Sequence, residues 1–522
     1  MTIKSRLPLA ILACLVCISG VAATADAAAV GAYTTKDTLS FVSAPTLHPP
    51  KFTIDVTPGK SKLAPGYFMI ANFKDLTSSS PMNGQGGPLI LDHEMRPVWV
   101  DPAPTNVYTL NLTTQRFGGK PALSWWEGVL NAQGVIQSGE DFVANQQYKT
   151  VATLKGADGW TLTFHEFLIS GNNAWVTANK FVSGVDLTAF GGPANGTIID
   201  SAVQEYNLKS GALEYTWDAE QHIPLTESVT TAAAKNATSP ADAWDAYHIN
   251  SIDLAGGDEF LVSMRNTWGA YLVNASTNQI VWTLGTQHND SFTLGPKAAF
   301  EWQHDVQLHG TNEVSMFDDA CCDLSGVGPL AQPSGPSRGL VLNLNTTAHT
   351  ATVEAQYLHS PTLDTATQGN TQLLSNGNVL VGWGSSPYLT EYSKSGKALL
   401  DAIFPEGPDI SYRVYDESWT GTPSYPPSGA GRTQGSKTTI YASWNGATQV
   451  AKWEVLGGPS SKRLSKAATV NKGGFETAIA LAHGYQLYQV DALDSKGHVL
   501  GRSKTFKAVK GKITKPPTGH GY

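Results

Sequence analysis

Three histidines recur at similar places along the chain, each at or near the start of a predicted pair of strands. They lie in Phe164-His165-Glu166-Phe167, Tyr247-His248-Ile249-Asn250 and Trp302-Gln303-His304-Asp305. Side chains two apart on a strand share a face, so His248 and Asn250 are expected side by side. Arg265 follows at the end of the next predicted strand. Equivalent positions in a repeat predict one site built around a common axis.

These residue types can perform nucleophilic and acid–base chemistry on an anionic group. A neutral imidazole is a competent nucleophile near pH 7, and a second imidazole can transfer a proton. Arg265 adds a planar fork of donors that stays charged. Three histidines could instead bind zinc, but an arginine facing the same channel would oppose a cation. The sequence therefore favours a site without a metal or other cofactor, although a single histidine on a strand is more often a core or surface residue.

Composition limits the class of protein. The chain has 522 residues, with 51 glycines, 14 tryptophans and only 15% charged residues, which is typical of an all-β protein with many tight turns. The length predicts two domains, or one large repeat domain with an appended module. The formal net charge of −8 offers no basic surface for nucleic acid.

The N-terminus has the pattern of a signal peptide. Lys4 and Arg6 precede an apolar run from Leu7 to Ala23, and Ala25-Asp26-Ala27 offers a cleavage site between small residues. We predict a signal peptide over residues 1–28, export of the mature chain to a periplasmic or extracellular location, and no integral membrane span.

Two adjacent cysteines, Cys321 and Cys322, follow this leader. Two cysteines in an exported chain usually imply a disulfide. The sequence leaves open whether these two pair with each other, stay free or form bonds between molecules.

Short alternating strands recur at irregular spacing, with Asn-Gly and Ser-Gly turns and a tryptophan closing several of the units. This pattern predicts a six-bladed β-propeller. A stretch rich in proline, glycine and serine reads as a linker, and the strands after it fit an immunoglobulin-like or fibronectin-like sandwich. The predicted domains are a propeller over 29–422, a linker over 423–436, a β-sandwich over 437–510 and a tail over 511–522.

The ordered motifs resemble those of the bacterial-type arylsulfate sulfotransferases. The resemblance runs through the three histidine motifs, Trp282-Thr283-Leu284-Gly285, Ser337-Arg338-Gly339, Ser411-Tyr412-Arg413 and Trp419-Thr420-Gly421. It implies a six-bladed propeller that moves a sulfuryl group from a phenolic sulfate donor to a phenolic acceptor without a nucleotide donor.

The resemblance also implies residue roles. His304 matches the nucleophile, which becomes transiently sulfated. His248 and Asn250 match the family's histidine-x-asparagine pair, Arg265 its arginine and His165 its first site histidine. Sulfuryl transfer needs cationic stabilisation of equatorial oxygens, which suits Arg265, with Asn250 as a further donor.

Several points stay open at this level. Either His248 or His165 could act as the general acid, and Asp305 or Glu301 could orient His304. An aryl sulfate hydrolase could use the same residues, because the exclusion of water depends on the rim of the channel. A propeller that only binds a ligand is the remaining alternative.

Overall fold

The computed structural model describes residues 33–56, 63–76, 78–104, 106–131, 134–321, 335–517 and 520–521. The predicted signal peptide and Cys322 lie outside these ranges, whereas Cys321 is buried and disulfide-bonded. The described residues are almost entirely strands and turns, which confirms the all-β prediction. The single α-helix among them is α1 (Ala219–His222). A membrane-crossing helix of sufficient length and apolar character is not found in these ranges.

The strands of the first half range from 2 to 13 residues in length. They are β1 (Tyr33–Thr34), β2 (Phe52–Val56), β3 (Tyr67–Lys74), β4 (Met82–Asn83), β5 (Gly87–Leu91), β6 (Pro97–Val100), β7 (Tyr108–Phe117), β8 (Lys120–Leu130), β9 (Ile136–Asn145), β10 (Thr150–Lys155), β11 (Thr161–Ser170), β12 (Asn173–Val185), β13 (Gly196–Asn207), β14 (Leu213–Asp218) and β15 (Trp244–Asp245). Strands β3, β5 and β6 are buried along almost their whole length. Helix α1 and three 3₁₀ turns (Leu225–Glu227, Ala232–Ala234 and Pro240–Asp242) lie between β14 and β15. Another 3₁₀ turn spans Thr188–Phe190.

The second half continues the same plan. Its strands are β16 (Ile249–Gly256), β17 (Glu259–Met264), β18 (Gly269–Asn274), β19 (Gln279–Leu284), β20 (Thr293–Leu294), β21 (His304–His309), β22 (Glu313–Asp318), β23 (Arg338–Asn345), β24 (Thr350–Leu358), β25 (Asn370–Leu373), β26 (Val379–Gly382), β27 (Tyr388–Tyr392), β28 (Ala398–Ile403) and β29 (Asp409–Glu417). A 3₁₀ turn over Arg265–Thr267 follows β17.

Apart from β1 and β4, which pair in a two-stranded parallel sheet, these strands form six mainly antiparallel sheets around a ring. The sheets are β29-β3-β5-β6, β7 to β10, β11 to β14 with β15, β16 to β19, β21 to β24 with β20, and β25 to β28 with β2. One strand of each sheet contacts its counterpart in the next sheet, and together these strands close a circle. These inner strands are β7, β11, β16, β21, β25 and β29. The pairing of β29 with β3 joins the two ends of this region in one sheet.

Apolar side chains hold the sheets together. A cluster of buried side chains fills each of the six interfaces between neighbouring sheets. Trp217, Trp302 and Trp383 are among the largest fully buried residues. Each such side chain contributes roughly 1.5–3 kcal/mol of transfer free energy or more, so the interfaces position the inner strands firmly.

The C-terminal region forms two further sheets of four strands each. Its strands are β30 (Ser428–Gln434), β31 (Lys437–Ser443), β32 (Lys452–Ser460), β33 (Arg463–Asn471), β34 (Glu476–Leu481), β35 (Leu487–Leu493), β36 (Val499–Arg502), β37 (Ala508–Lys510) and β38 (His520–Gly521). The sheet orders are β34-β31-β30-β37 and β33-β32-β35-β36. Buried residues such as Ile440, Trp453 and Val490 form one core from both sheets.

Two predicted boundaries need correction. The linker expected over 423–436 contains β30, which pairs with β31 and β37. Its glycines permit close packing rather than flexibility, because a Cβ on Gly429 would lie 2.3 Å from Phe506 and one on Gly431 2.7 Å from Ala508. The tail expected over 511–522 is also structured in part, since β38 pairs with β2 in the sixth sheet of the ring.

Candidate active site

Each predicted histidine lies on or beside the inner strand of its sheet, next to a break in strand register. His304 is the first residue of β21, and the pairing with β22 shifts directly after it. His165 lies in β11 between Leu162 and Phe167, where the pairing with β12 shifts. His248 directly precedes β16. Such irregularities re-aim side chains, and here they bring the three rings to one place.

Asn250 does not join the histidines. His248 has a φ of 57°, in the left-handed region, so strand alternation begins only after it. Asn250 is fully buried, and its Nδ2 donates to the carbonyl oxygen of Gln303 at 2.6 Å. It is not among the residues that line the cavity described next. The structure therefore places Asn250 between two sheets, not at the position expected of a substrate-binding residue.

The other four predicted residues line one cavity of about 260 Å³. His165, His248, Arg265 and His304 surround its inner end together with Tyr412. The ring centroids of His165 and His248 are 5.0 Å apart, and those of His248 and His304 are 6.5 Å apart. The rest of the lining is largely apolar and includes Leu76, Val135, Phe181 and Trp244, and Phe164 lies against His165 with ring centroids 4.2 Å apart. Such a wall fits a flat, apolar group better than a sugar or a peptide backbone.

The hydrogen bonds of His304 fix which ring nitrogen carries the proton. Its Nδ1 lies 2.7 Å from Oδ2 of Asp319, and its Nε2 accepts from the backbone N–H of Gln368 at 3.3 Å. Since an N–H cannot donate to a protonated nitrogen, Nδ1 carries the hydrogen and donates to Asp319. The lone pair of Nε2 is therefore directed away from the carboxylate. The expectation that Asp305 or Glu301 orients His304 is wrong, because Asp319 does so.

The charge state of His304 follows from its surroundings. Only 1% of the residue is exposed, and burial lowers the pKa of His304 well below its usual value. The positive charge of Arg265 lowers this pKa further. Burial raises the pKa of Asp319, and Arg265 opposes that effect. His304 is consequently a neutral imidazole at pH 7, the form that has a free electron pair.

The two remaining histidines have different partners. His248 Nδ1 lies 2.6 Å from Oδ2 of Asp245, and 28% of the His248 side chain is exposed. His165 is buried, and its Nδ1 lies 2.9 Å from Oγ1 of Thr163. Burial, and then the neighbouring His248, lower the pKa of His165 well below its usual value. His165 is thus suited to a neutral hydrogen-bonding role, and His248 to proton transfer.

Arg265 is held firmly at the cavity. Its guanidinium carbon lies 4.5 Å from the ring centroid of Trp302, and its Nη2 donates to the carbonyl oxygen of Ala366 at 3.1 Å. Its Nη1 donates to Oδ1 of Asn266 at 3.2 Å. Contact with an aromatic face stabilises a guanidinium by about 0.5–2 kcal/mol. Arg265 therefore presents a fixed positive charge beside His304.

Comparison with known proteins identifies the family. The sequence profile of the arylsulfotransferases (ASST) matches residues 137–405, just over half of the chain. The chain belongs to the arylsulfotransferase family. The matched segment includes all five predicted site residues, and the resemblance noted in the sequence is confirmed. The family supports aryl sulfotransferase activity in general terms.

Other comparisons add no function. A protein of unknown function from Bacteroides caccae is 11% identical, with 67% of this chain and 98% of that chain covered and a TM-score of 0.36. Apo AztD from Citrobacter koseri is 10% identical, with 68% of this chain and 99% of that chain covered and a TM-score of 0.29. The Dos1 propeller is 9% identical, with 79% of this chain and 92% of that chain covered and a TM-score of 0.27. Likenesses with such low TM-scores carry no inference. No curated protein sequence matches the chain.

The donor set of this arylsulfotransferase site does not favour a metal. Within the described ranges, no group of three or more histidine, cysteine, aspartate or glutamate side chains is arranged to hold a metal ion. Nδ1 of His304 carries the hydrogen and donates to Asp319, so only one of its two nitrogens could ligate a metal. The guanidinium of Arg265 beside it would repel a cation.

A buried cluster of ion pairs next to the site links several inner strands of the ring. Arg413 on β29 is fully buried, and its Nη1 lies 2.9 Å from Oε2 of Glu166 and 3.2 Å from Oδ1 of Asp305. Its Nη2 donates to the carbonyl oxygen of Asn250 at 2.8 Å. These partners lie on or next to β11, β21 and β16, so one side chain joins four inner strands of the ring.

We expect Arg413→Met to destabilise the ring. The change leaves two buried carboxylates uncompensated, and burial raises the pKa of Glu166 to about 7 even with Arg413 present. Loss of one partner from such a cluster costs about 3–5 kcal/mol. The midpoint of urea unfolding, followed by tryptophan fluorescence, should fall accordingly. Arg116→Met, at an exposed position on β7, is the matched control; an equal shift in both variants would contradict the role of Arg413.

Two carboxylates of the site were not found from the sequence. Asp319 lies fifteen positions after its histidine along the chain. Asp245 lies three residues before His248, just outside the motif that contains that histidine. Nearness to a motif was the only signal for Asp245, and alternation along strands gave no reason to pair either carboxylate with its histidine.

Proposed function

We propose that this protein is an exported aryl sulfotransferase that uses a phenolic sulfate as donor and a phenol as acceptor. The reaction is proposed to follow a ping-pong route through sulfated His304, without a nucleotide donor. One observation carries the proposal: a neutral His304, oriented by Asp319, lies beside Arg265 in an apolar-walled cavity.

In the first half-reaction, Nε2 of His304 gives up its 3.3 Å hydrogen bond from the N–H of Gln368 and attacks the sulfur of the donor. The N–S bond forms and the bond from sulfur to the aryl oxygen breaks, with the electron pair leaving on the phenolate. Attacking and leaving atoms are in line, and charge is spread over three sulfuryl oxygens. Arg265 stabilises that charge, and Asp319 stabilises the imidazolium through its bond with Nδ1–H.

His248 is proposed to protonate the leaving oxygen. A phenol has a pKa of about 10, judged from tyrosine, so a general acid helps its departure. Asp245 orients His248 as Asp319 orients His304. Its partly exposed ring can exchange protons with solvent, whereas His165 is buried and stays neutral.

The second half-reaction reverses these roles. An acceptor phenol binds against the apolar wall, and His248 removes its proton. The acceptor oxygen attacks sulfur, the N–S bond breaks, and His304 regains its lone pair. His165 completes the inner end of the cavity as a hydrogen-bonding partner for a sulfuryl oxygen.

The architecture fits this proposal. We interpret the closed circle of six sheets as the blades of one six-bladed propeller, with the cavity at one end of its inner ring. The two C-terminal sheets would form an appended sandwich. Export is inferred from the leader pattern of residues 1–28.

The decisive experiment is release of nitrophenol from 4-nitrophenyl sulfate by the purified mature chain, with and without phenol. Release that depends on phenol, with phenyl sulfate appearing in equal amount, is expected for transfer. Equal release without an acceptor would show a hydrolase. No release under either condition would contradict the proposed donor class.

A further inference from the structure

The cavity extends beyond the histidines to a segment that the reaction does not use. This segment connects β14 to β15 and contributes Thr230, Lys235 and Ala243 to the lining, next to Trp244 at the start of β15. It belongs to the third sheet of the ring, next to Phe181 and Ile199 of the same cavity. A substrate whose sulfuryl group lies at His304 would direct the rest of its structure toward this wall.

One charge on this wall has no role in sulfuryl transfer. The ionisable side chains that line the cavity are His165, Lys235, Asp245, His248, Arg265, His304 and Tyr412. Asp245 is bonded to His248, and Arg265 lies against Trp302. Lys235 is half-buried, and it forms no ion pair with any residue of the described ranges.

Lys235 lines this cavity without a carboxylate partner in the described ranges, so its ammonium can form a charge-assisted hydrogen bond with an anionic group of the ligand. The only carboxylate among the lining residues, Asp245, is already bonded to a histidine. The substrate is therefore the available source of a compensating negative charge.

We propose that Lys235 selects phenols that carry a carboxylate on the side of the ring away from the hydroxyl. The inference rests on the proposed function and narrows its acceptor class. The hydroxyl lies at His248, the ring lies along the apolar wall, and the carboxylate reaches Lys235. Lys235 is a specificity residue and takes no part in the bond changes at sulfur.

The test compares two acceptors that differ in charge alone. In 4-hydroxyphenylacetate and 4-hydroxyphenylacetamide, a methylene separates the substituent from the ring, so the two phenol hydroxyls are similarly acidic. With 4-nitrophenyl sulfate as donor, the wild-type enzyme is expected to show a kcat/KM about tenfold higher for the carboxylate. Lys235→Met should remove this preference. Lys235→Glu should reverse it, and tyramine, a phenol whose side chain carries an ammonium, should become a better acceptor than the carboxylate.

Two measurements separate this effect from damage to the site. The rate of the first half-reaction with 4-nitrophenyl sulfate, and transfer to phenol itself, should change less than about threefold in the Lys235 variants. Lys209→Met, at an exposed turn between β13 and β14, is the matched control and should retain the preference.

The possible outcomes differ clearly. Equal use of both acceptors by the wild-type enzyme, or a preference unchanged in Lys235→Met, would overturn the inference while leaving the proposed function in place. Failure of the wild-type enzyme to transfer sulfate to phenol would overturn the proposed function and this inference with it.

Discussion

Replacing His304 by alanine is expected to lower sulfuryl transfer by roughly 10⁴-fold or more. The variant lacks the only group that the proposed route uses to accept the sulfuryl group, and the other carboxylate-oriented imidazole, His248, is assigned to proton transfer. His304 is buried at the start of β21, so its removal also leaves a small cavity. Steady-state release of nitrophenol in the presence of phenol measures the effect.

The covalent intermediate gives a second measurement. Wild-type protein mixed with donor alone should gain the mass of one SO₃ group, and peptide mapping should place it on His304. His304→Ala should show no gain. His309→Gln is the matched control, because His309 lies on the same strand and bonds to Ser315 rather than to the cavity residues. Retention of activity in His304→Ala, or sulfation of another residue, would refute the nucleophile assignment.

Position in the repeat was sufficient to predict most of the site. His165, His248 and His304 occupy similar places in successive sheets, and a closed ring necessarily brings such places together. Arg265 follows from the same logic, because it comes directly after β17, the strand next to β16. These residues could be predicted because their placement depends on local pattern and repetition.

Asn250 shows where that reasoning fails. The rule of alternation holds only inside a regular strand, and His248 precedes β16 with a left-handed backbone. Trp302, Asp305 and Gln368 near the site also have positive φ. Such conformations are uncommon for residues other than glycine and cluster at functional sites. They depend on tertiary contacts, so no single-sequence pattern indicates them.

Non-local pairings account for the other differences. The pairing of β29 with β3 joins residues more than 300 positions apart. The sequence of neither strand indicates which strand it pairs with. By composition, the segment that contains Gly429 and Gly431 resembles a flexible linker. In the structure it is a strand that pairs with β37, and the two glycines pack closely against Phe506 and Ala508. In each case the deciding contact lies with a distant segment, whereas composition reports only local preference.

Asp319→Asn is expected to slow the first half-reaction by roughly 10²–10⁴-fold. If the new amide donates to Nδ1 of His304, the proton moves to Nε2 and blocks the attacking lone pair. If the amide accepts from Nδ1–H instead, the negative charge that stabilises the forming imidazolium is still lost. Both orientations therefore weaken the transition state.

A structural role alone would not produce the same pattern. Donor binding depends on Arg265 and the apolar wall, so the donor concentration for half-maximal rate should change less than about threefold while the maximal single-turnover rate falls. Asp318→Asn is the matched control: Asp318 is the neighbouring buried carboxylate, but it pairs with Arg338 at 2.9 Å and not with His304. That variant is expected to lose stability and to retain its single-turnover rate. A rate in Asp319→Asn close to that of Asp318→Asn would show that the carboxylate of Asp319 supports the fold and does not orient the nucleophile.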